Sequence, residues 1–472
     1  MKAPRHLRYS SVLLISFFIF LQYGCEDPIP GPQVNSNCCP GNAGILCTKL
    51  TERLQSTMPI QEFNDNYTQD DTKCPIVKGQ WIVQIDSWCN WPLKSPVDSF
   101  ISTSSWNKVM DAITKSPCIT LIDSATNKEI VLDSLNQLAI TKICPCDSTL
   151  IVLDTTKLNN QEMGAVASSK GGPQGNNVFM LPEIGENIFQ GDYELGVEHS
   201  FDPNAGRKIA IIDSGVDAAV AGSMENQFVE KLNIIRPGSP IDDEYGHGTA
   251  VLSIVEMASR VDNNESNHKY IIYKTFDEKG VGTMFDVVCA LHGAMKEADM
   301  VNMSWGTSKR NKYLEKAIDS FDSKATPLIA SKGNDCLMTT PETPQNFPAD
   351  FETVYDVAAL NLGLGVFTGN SWTSFIDADP SSVPNTVDYW ECSNWRNDSL
   401  QLIAPGKIDF TQGVDRYGTS FAAAYVSGII ARYYFENNTY PRYTASDIMN
   451  YTQHRTAAPN DGITRYIWVP TK

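Results

Sequence analysis

Apolar residues along this chain change their spacing several times, and each change marks a different kind of segment. Val12 to Leu21 is an apolar run, interrupted only by Ser16, behind Lys2, Arg5 and Arg8. It is too short to span a bilayer and has the layout of an export signal. Residues 26 to about 75 show little periodicity and are rich in Pro, Asn, Cys and Thr, which predicts a tether and a small cysteine-bearing segment. Alternation begins near Gly79. It predicts strands at 80–86, 119–123, 129–133, 138–143 and 150–153, with a helix at 106–115. Small polar residues without periodicity at 164–177 predict an exposed linker.

The remainder alternates strand-like and helix-like stretches. Residues 208–212 form a short Ile-rich run, read as a buried parallel strand, and Asp213 ends it. Residues 249–259 are largely apolar and free of Pro and Gly, a buried helix just after His247. Residues 327–331 read as a strand, followed by Gly333-Asn334. The stretch 421–434 reads as a helix whose Ala422, Ala423, Ala424 and Gly428 permit close packing. The pattern predicts an α/β fold with buried parallel strands, preceded by a small N-terminal α+β cysteine-rich region.

Three segments carry chemistry: Ile212-Asp213-Ser214-Gly215, Tyr245-Gly246-His247-Gly248-Thr249 and Tyr417-Gly418-Thr419-Ser420. A serine hydroxyl is a weak nucleophile unless a base accepts its proton and a third group orients that base. Histidine suits the base role near neutral pH. A carboxylate on its far nitrogen fixes the tautomer. Asp213, His247 and Ser420 supply one of each, 34 and 173 residues apart. Strand ends are where open α/β sheets gather their sites. A serine at a helix N-terminus gains free N–H donors.

These motifs, in this order, resemble the subtilisin-like serine peptidases, the subtilases; the resemblance implies a three-layer α/β fold with a mainly parallel sheet. The resemblance covers residues 208–434 and extends to Gly333-Asn334, to Ala298-Asp-Met-Val-Asn302-Met303-Ser304-Trp305-Gly306 and to Gly280-Val281-Gly282. It implies a serine endopeptidase acting on proteins or peptides through an acyl-enzyme. Asn334 and the Ser420 N–H would hold the oxyanion. Gly280, Gly282, Ser304, Trp305 and Gly306 would bind an extended substrate by strand addition. Asn346-Phe-Pro-Ala-Asp350 and Ala404-Pro-Gly406 match further family stretches. Departures are Phe421 and Ala424, where Met and Pro are usual, and Lys332, which replaces a small residue in a wall of the first specificity pocket. Asp335 is a candidate to neutralise it. By position, residues 76–163 resemble the family's inhibitory propeptide; an accessory domain is the other reading. The contrasting reading of the whole is a catalytically silent subtilase-fold surface lipoprotein with a binding or structural role.

Charge and cysteine count narrow the setting. With 37 basic and 55 acidic side chains the net charge is −18, which disfavours nucleic acid as a partner. Gly24-Cys25 after the apolar run resembles a bacterial lipoprotein cleavage site. Cys25 would then carry a lipid anchor to a membrane; ordinary secretion is the alternative. Twelve cysteines in an exported chain predict disulfides of unassigned connectivity. Cys144-Pro-Cys146 fits a disulfide better than a metal or redox site. No metal or organic cofactor is needed for the chemistry. Structural Ca²⁺ at Asp377, Asp379 and Asp388, in an insertion-like loop at 361–400, is a further possibility. The layout is a signal at 1–24, a tether at 25–75, a propeptide-like or accessory domain at 76–163, a linker at 164–177 where processing occurs, and a catalytic domain at 178–472.

Overall fold

The computed structural model describes residues 43–89, 118–132, 135, 137–182, 207–260, 268–321, 326–339, 345–368, 371–375, 390, 392–396, 402–410, 416–437, 455–456 and 466–467. The export signal, Cys25, the helix expected at 106–115 and the loop residues Asp377, Asp379 and Asp388 lie outside them.

The N-terminal module opens with helices α1 (Ala43–Ser56) and α2 (Ile60–Asn66), where a tether was expected. Cys47, Thr51 and Leu54 are buried on one face of α1, at helical spacing. A Cys47–Cys74 disulfide fastens that helix to the sheet behind it. The sheet strands are β1 (Tyr67–Gln69), β2 (Pro75–Gln84), β6 (Ile140–Ile143), β7 (Leu150–Asp154) and β8 (Gln174–Met180). A second antiparallel sheet holds β3 (Ser87–Trp88), β4 (Ile119–Ile122) and β5 (Glu129–Leu132), with Cys89 bonded to Cys118 at its edge. Strand alternation divides β2 between two cores. Val83 faces the module's own cluster with Ile119, Leu121 and Ile151, while Ile82 joins the core of the following domain.

Residues 164–177 are not a linker. They complete helix α3 (Asn160–Ser168) and begin β8. A capping box starts the helix: Asn159 Oδ1 accepts from Gln161 N and Glu162 N, and Glu162 Oε2 accepts from Asn159 N. Val166 is its buried anchor. The small polar residues of β8 are held by ladder hydrogen bonds to β2, which need no apolar side chain. The boundary at 178 also moves, because β8 runs to Met180 as a strand of the N-terminal sheet.

The following domain carries β9 (Lys208–Asp213), α4 (Ala218–Ser223), β10 (Phe228–Asn233), α5 (His247–Ser259), β11 (Lys269–Lys274), β12 (Val281–Thr283), α6 (Met284–Glu297), β13 (Met300–Met303), α7 (Lys312–Asp319) and β14 (Leu328–Ser331). After these come β15 (Met338–Thr339), β16 (Tyr355–Thr368), β17 (Ser371–Phe375), β18 (Trp395–Arg396), β19 (Leu402–Phe410), β20 (Arg416–Tyr417) and α8 (Thr419–Asn437). Part of the stretch expected as a loop at 361–400 is therefore strand: β16 extends to Thr368 and β17 folds back on it. The central order is β10-β11-β9-β13-β14-β16-β19, with every neighbouring pair parallel. Along β9, Ile209 and Ile211 face α5 and α8, while Ala210 and Ile212 face α6 and α7. These are the two helical layers of the α/β sandwich.

Just before β11, His268 is buried, and its Nδ1 accepts from Arg207 N at 3.3 Å. Burial, helped by the Arg207 charge, pushes its pKa down to about 3. The unfolded chain therefore binds a proton that the folded chain refuses between about pH 6.5 and 3. The stability this contributes is complete above the unfolded value and is lost as pH falls. Urea unfolding of the wild type and of His268→Gln from pH 7 to 4 should show the variant losing less, by up to about 1.4 kcal/mol per pH unit. Parallel pH curves would contradict this.

Candidate active site

The structure brings Asp213 and His247 together from different elements. Asp213 ends β9 and His247 is the first residue of α5; both are fully buried. His247 Nδ1 lies 2.8 Å from Asp213 Oδ1. The same carboxylate oxygen accepts from Ser214 N at 2.8 Å. Two glycines allow this approach. A Cβ on Gly248 would stand 2.3 Å from the Gly215 carbonyl oxygen, and one on Gly215, at φ 115°, would stand 2.1 Å from the Ile241 carbonyl oxygen. Ser214 Oγ accepts from Gly248 N at 2.9 Å, closing the strand end onto the helix start. Lys274 Nζ ties the surrounding loops, donating to the carbonyls of Ser214 and Asp242 at 2.7 Å each and to Glu244 at 2.8 Å.

Ser420 stands in the first turn of α8. Its hydroxyl donates to the Ser304 carbonyl at 2.9 Å, and His247 Nε2 is buried without a hydrogen-bond partner. The Phe421 ring lies beside the imidazole, centroids 6.2 Å apart. Behind the serine, Ser304 Oγ is 2.9 Å from both Asn302 Oδ1 and the Ser420 carbonyl oxygen, and Asn302 Nδ2 donates to Ser427 Oγ. This buried set fixes the start of α8 against the end of β13.

Asn334 follows β14. Its Oδ1 accepts from Thr419 N at 3.0 Å and Thr419 Oγ1 at 2.9 Å. The amide is thereby oriented with its N–H₂ end available. Asn334 Nδ2 and Ser420 N both face Gly418, 3.8 and 3.7 Å from where a Cβ there would sit. Two N–H groups thus lie near Gly418 beside the serine. Asn394 supports the same loop, accepting from Asp335 N and Leu337 N and donating to the Lys332 carbonyl. Lys332 is fully buried between Asp350 and Asp356, the latter at 2.9 Å, so these two carboxylates and not Asp335 neutralise it. Burial instead pushes the Asp335 carboxyl up, opposed by its bond from Asn394.

One of the two expected substrate edges is paired by the chain itself. Strand β8 pairs antiparallel with β12, placing Met180 opposite Val281, Phe179 opposite Gly282 and Val178 opposite Thr283. Leu181 N donates to the Gly280 carbonyl at 2.8 Å. The Phe179 ring stacks on Trp305 at 5.6 Å and meets Phe276 edge-on. Tyr245 Oη donates to the Pro182 carbonyl at 2.8 Å, its ring lying over Gly280. The Asn346 amide fills the space beside Gly306 and Gly333 and donates to the Ser331 carbonyl at 3.1 Å.

Thr419, Asn302 and Tyr245 support the site from within the Ser420, Ser304 and His247 motifs, so adjacency in the sequence was an available signal for them. Asn394 is 60 residues from Asn334 and carried no local signal.

Asp213 and His247 thus pair where β9 ends and α5 begins, Ser420 stands in the first turn of α8, and Asn334 is bonded to the neighbouring Thr419. A profile of the subtilase family matches residues 204–466, more than half of the chain, and the chain belongs to that family. A thermophilic serine proteinase of Bacillus sp. (strain AK1) is 23% identical over 265 residues, 52% of this chain and 58% of that one. Thermitase of Thermoactinomyces vulgaris is 23% identical over 234 residues, covering 48% and 74%. The minor extracellular protease Epr of Bacillus subtilis (strain 168) is 28% identical over 162 residues, only 23% of its length. A cold adapted subtilisin-like serine proteinase of solved structure gives a TM-score of 0.40 at 20% identity, over 58% of this chain and 92% of that one. No described helix is long and apolar enough to cross a membrane.

Replacing Gly248 by Ala inserts a methyl where backbone already stands. The expected cost is about 1–3 kcal/mol, read as a lower urea midpoint with unchanged slope; an unshifted midpoint would count against the close packing described.

Proposed function

We propose that the chain is a serine endopeptidase held silent by its own N-terminal module. The observation that carries this is the buried 2.8 Å pair of His247 and Asp213, with the imidazole's other nitrogen open and Ser420 on the adjoining helix. On this reading Ser420 Oγ turns from the Ser304 carbonyl to His247 Nε2, loses its proton there and attacks the scissile carbonyl. Asp213 keeps the imidazole in the required tautomer and stabilises the imidazolium. Asn334 Nδ2 and Ser420 N–H hold the oxyanion. His247 returns the proton to the leaving amine, and water repeats the sequence on the acyl-enzyme. Substrate adds as a strand between Gly280–Gly282 and Ser304–Gly306. None of these steps draws on a metal or organic cofactor.

The inhibitory part rests on β8. It fills the edge a substrate would use, in extended form, with Phe179 as an aromatic plug. Ile82, Leu150 and Val152 join its packing to the core around α6 and α7. We further propose export, with a lipid on Cys25. The turned hydroxyl and the filled groove also suit a silent surface lipoprotein, the competing reading.

Reaction with a fluorophosphonate probe separates the two readings, because only an activated serine is labelled. Ser420→Ala should abolish labelling and peptide hydrolysis, a loss on the order of 10⁶ in turnover by analogy with subtilisin, a relative of this chain. Asn334→Leu should cost about 10²–10³, the effect of losing that donor in subtilisin. Wild-type protein that stays unlabelled after the module is removed would favour the silent reading.

Phe179→Ala empties the slot between Trp305 and Phe276 and should weaken the module's hold by about 3–5 kcal/mol. The full chain should then label faster than wild type; equal rates would argue against β8 as the block.

A further inference from the structure

Between the N-terminal module and α6 lies a buried cluster of sulfur that the proposed chemistry does not use. Cys144 of the module is disulfide-bonded to Cys289 of α6. Cys146, two residues on, is a buried thiol, and the three sulfur atoms lie within 4.8 Å of one another. A metal would need all three as thiolates, which the disulfide precludes.

One face of α6 makes the joint. Phe285, Cys289, His292, Gly293 and Lys296 follow helical spacing. His292 Nδ1 meets Asp147 Oδ2 at 2.6 Å, and Lys296 Nζ donates to the Cys146 carbonyl at 2.8 Å. Gly293 leaves room for sulfur: a Cβ there would stand 2.8 Å from Cys146 Sγ and 2.6 Å from Tyr273 Oη. A cut between the module and the catalytic domain would thus leave the module attached through Cys144–Cys289.

We propose that Cys144, Cys146 and Cys289 form a thiol–disulfide exchange switch that decides whether the module remains covalently joined to the catalytic domain. The Cys146 thiolate attacks Cys144 Sγ. A Cys144–Cys146 bond forms, the Cys144–Cys289 bond breaks, and Cys289 leaves as a thiolate that takes up the proton given by Cys146. One disulfide and one thiol stand on each side, so no outside oxidant or reductant is required. Attack at Cys144 is favoured by connectivity. Cys144 and Cys146 travel together when the module rocks away from α6, whereas Cys289 recedes with the helix.

The closed joint holds the switch off. Burial, with the Glu230 charge, raises the Cys146 thiol far above its ordinary range, so little thiolate exists. Loosening the joint hydrates the cluster and restores the nucleophile. The role assigned to release rests on the module being the groove's inhibitor; the sulfur exchange does not.

The test uses the full chain as Ser420→Ala, with and without Cys146→Ser or Cys146→Ala. Each protein is held at pH 8 in rising urea without added thiol, quenched in acid, digested, and its linked peptides quantified by mass spectrometry. The Cys144–Cys289 link should persist in dilute buffer and convert to Cys144–Cys146 as urea loosens the joint, with Cys289 becoming alkylatable. Either Cys146 variant should retain the original link at least about tenfold longer. Absence of a Cys144–Cys146 peptide from the chain with intact Cys146 at every urea concentration overturns the proposal. So does equal loss of the original link with and without Cys146. Fluorophosphonate labelling of the Ser420-containing protein is read alongside. Exchange in the full chain, with Ser420 still unlabelled once the module has been removed, would sink the peptidase reading and leave the switch standing.

Discussion

A 2.8 Å hydrogen bond between a strand-end carboxylate and a helix-start imidazole constrains much of what surrounds it. Both partners are fully buried, so neither can rely on water for orientation. The strand must end where the helix begins, and backbone must meet backbone there. Gly215 and Gly248 make that contact possible, and the buried ammonium of Lys274 gathers the carbonyls of the adjoining loops. On the opposite side, Ser427, Asn302 and Ser304 link the middle of α8 to the end of β13. The candidate nucleophile is placed by that chain of hydrogen bonds as much as by its own helix.

Beside this site β8 runs antiparallel along β12. Strand β8 belongs at once to the module's sheet and, through β12, to the edge of the following domain. Its residues bond along their backbone, while Phe179 and Leu181 enter the core around Trp305 and Phe276. Backbone pairing supplies register and the aromatic stack supplies hold. The sulfur joint at α6 acts on the same module from another side of the interface. The β8–β12 pairing and the Cys144–Cys289 bond therefore hold the module by separate contacts, one noncovalent and one covalent.

Legibility in the sequence followed locality. The Ile-rich run before Asp213, the apolar helix after His247 and the small residues after Ser420 announced their elements, because strand and helix periods are properties of neighbouring residues. The α1 helix was hidden in a stretch rich in polar residues, where only Cys47, Thr51 and Leu54 mark a face. Residues 164–177 misled because a capping box and ladder hydrogen bonds stabilise them, and neither leaves an apolar period. Helix α6, with its buried Val287, Val288 and Leu291, was legible in principle and went unread.

The sequence by itself determined the candidate residue types, their order along the chain, and the α/β alternation that places Asp213 at a strand end and His247 and Ser420 at helix starts. Membership of the subtilase family follows from the same residues. Tertiary structure alone decided which distant groups meet. It put Asp350 and Asp356 on Lys332, Asn394 behind Asn334, β8 in the groove, and Cys289 on Cys144 with Cys146 beside them. Such contacts join residues tens to hundreds of positions apart, and their energy depends on desolvation and geometry that no local spacing encodes.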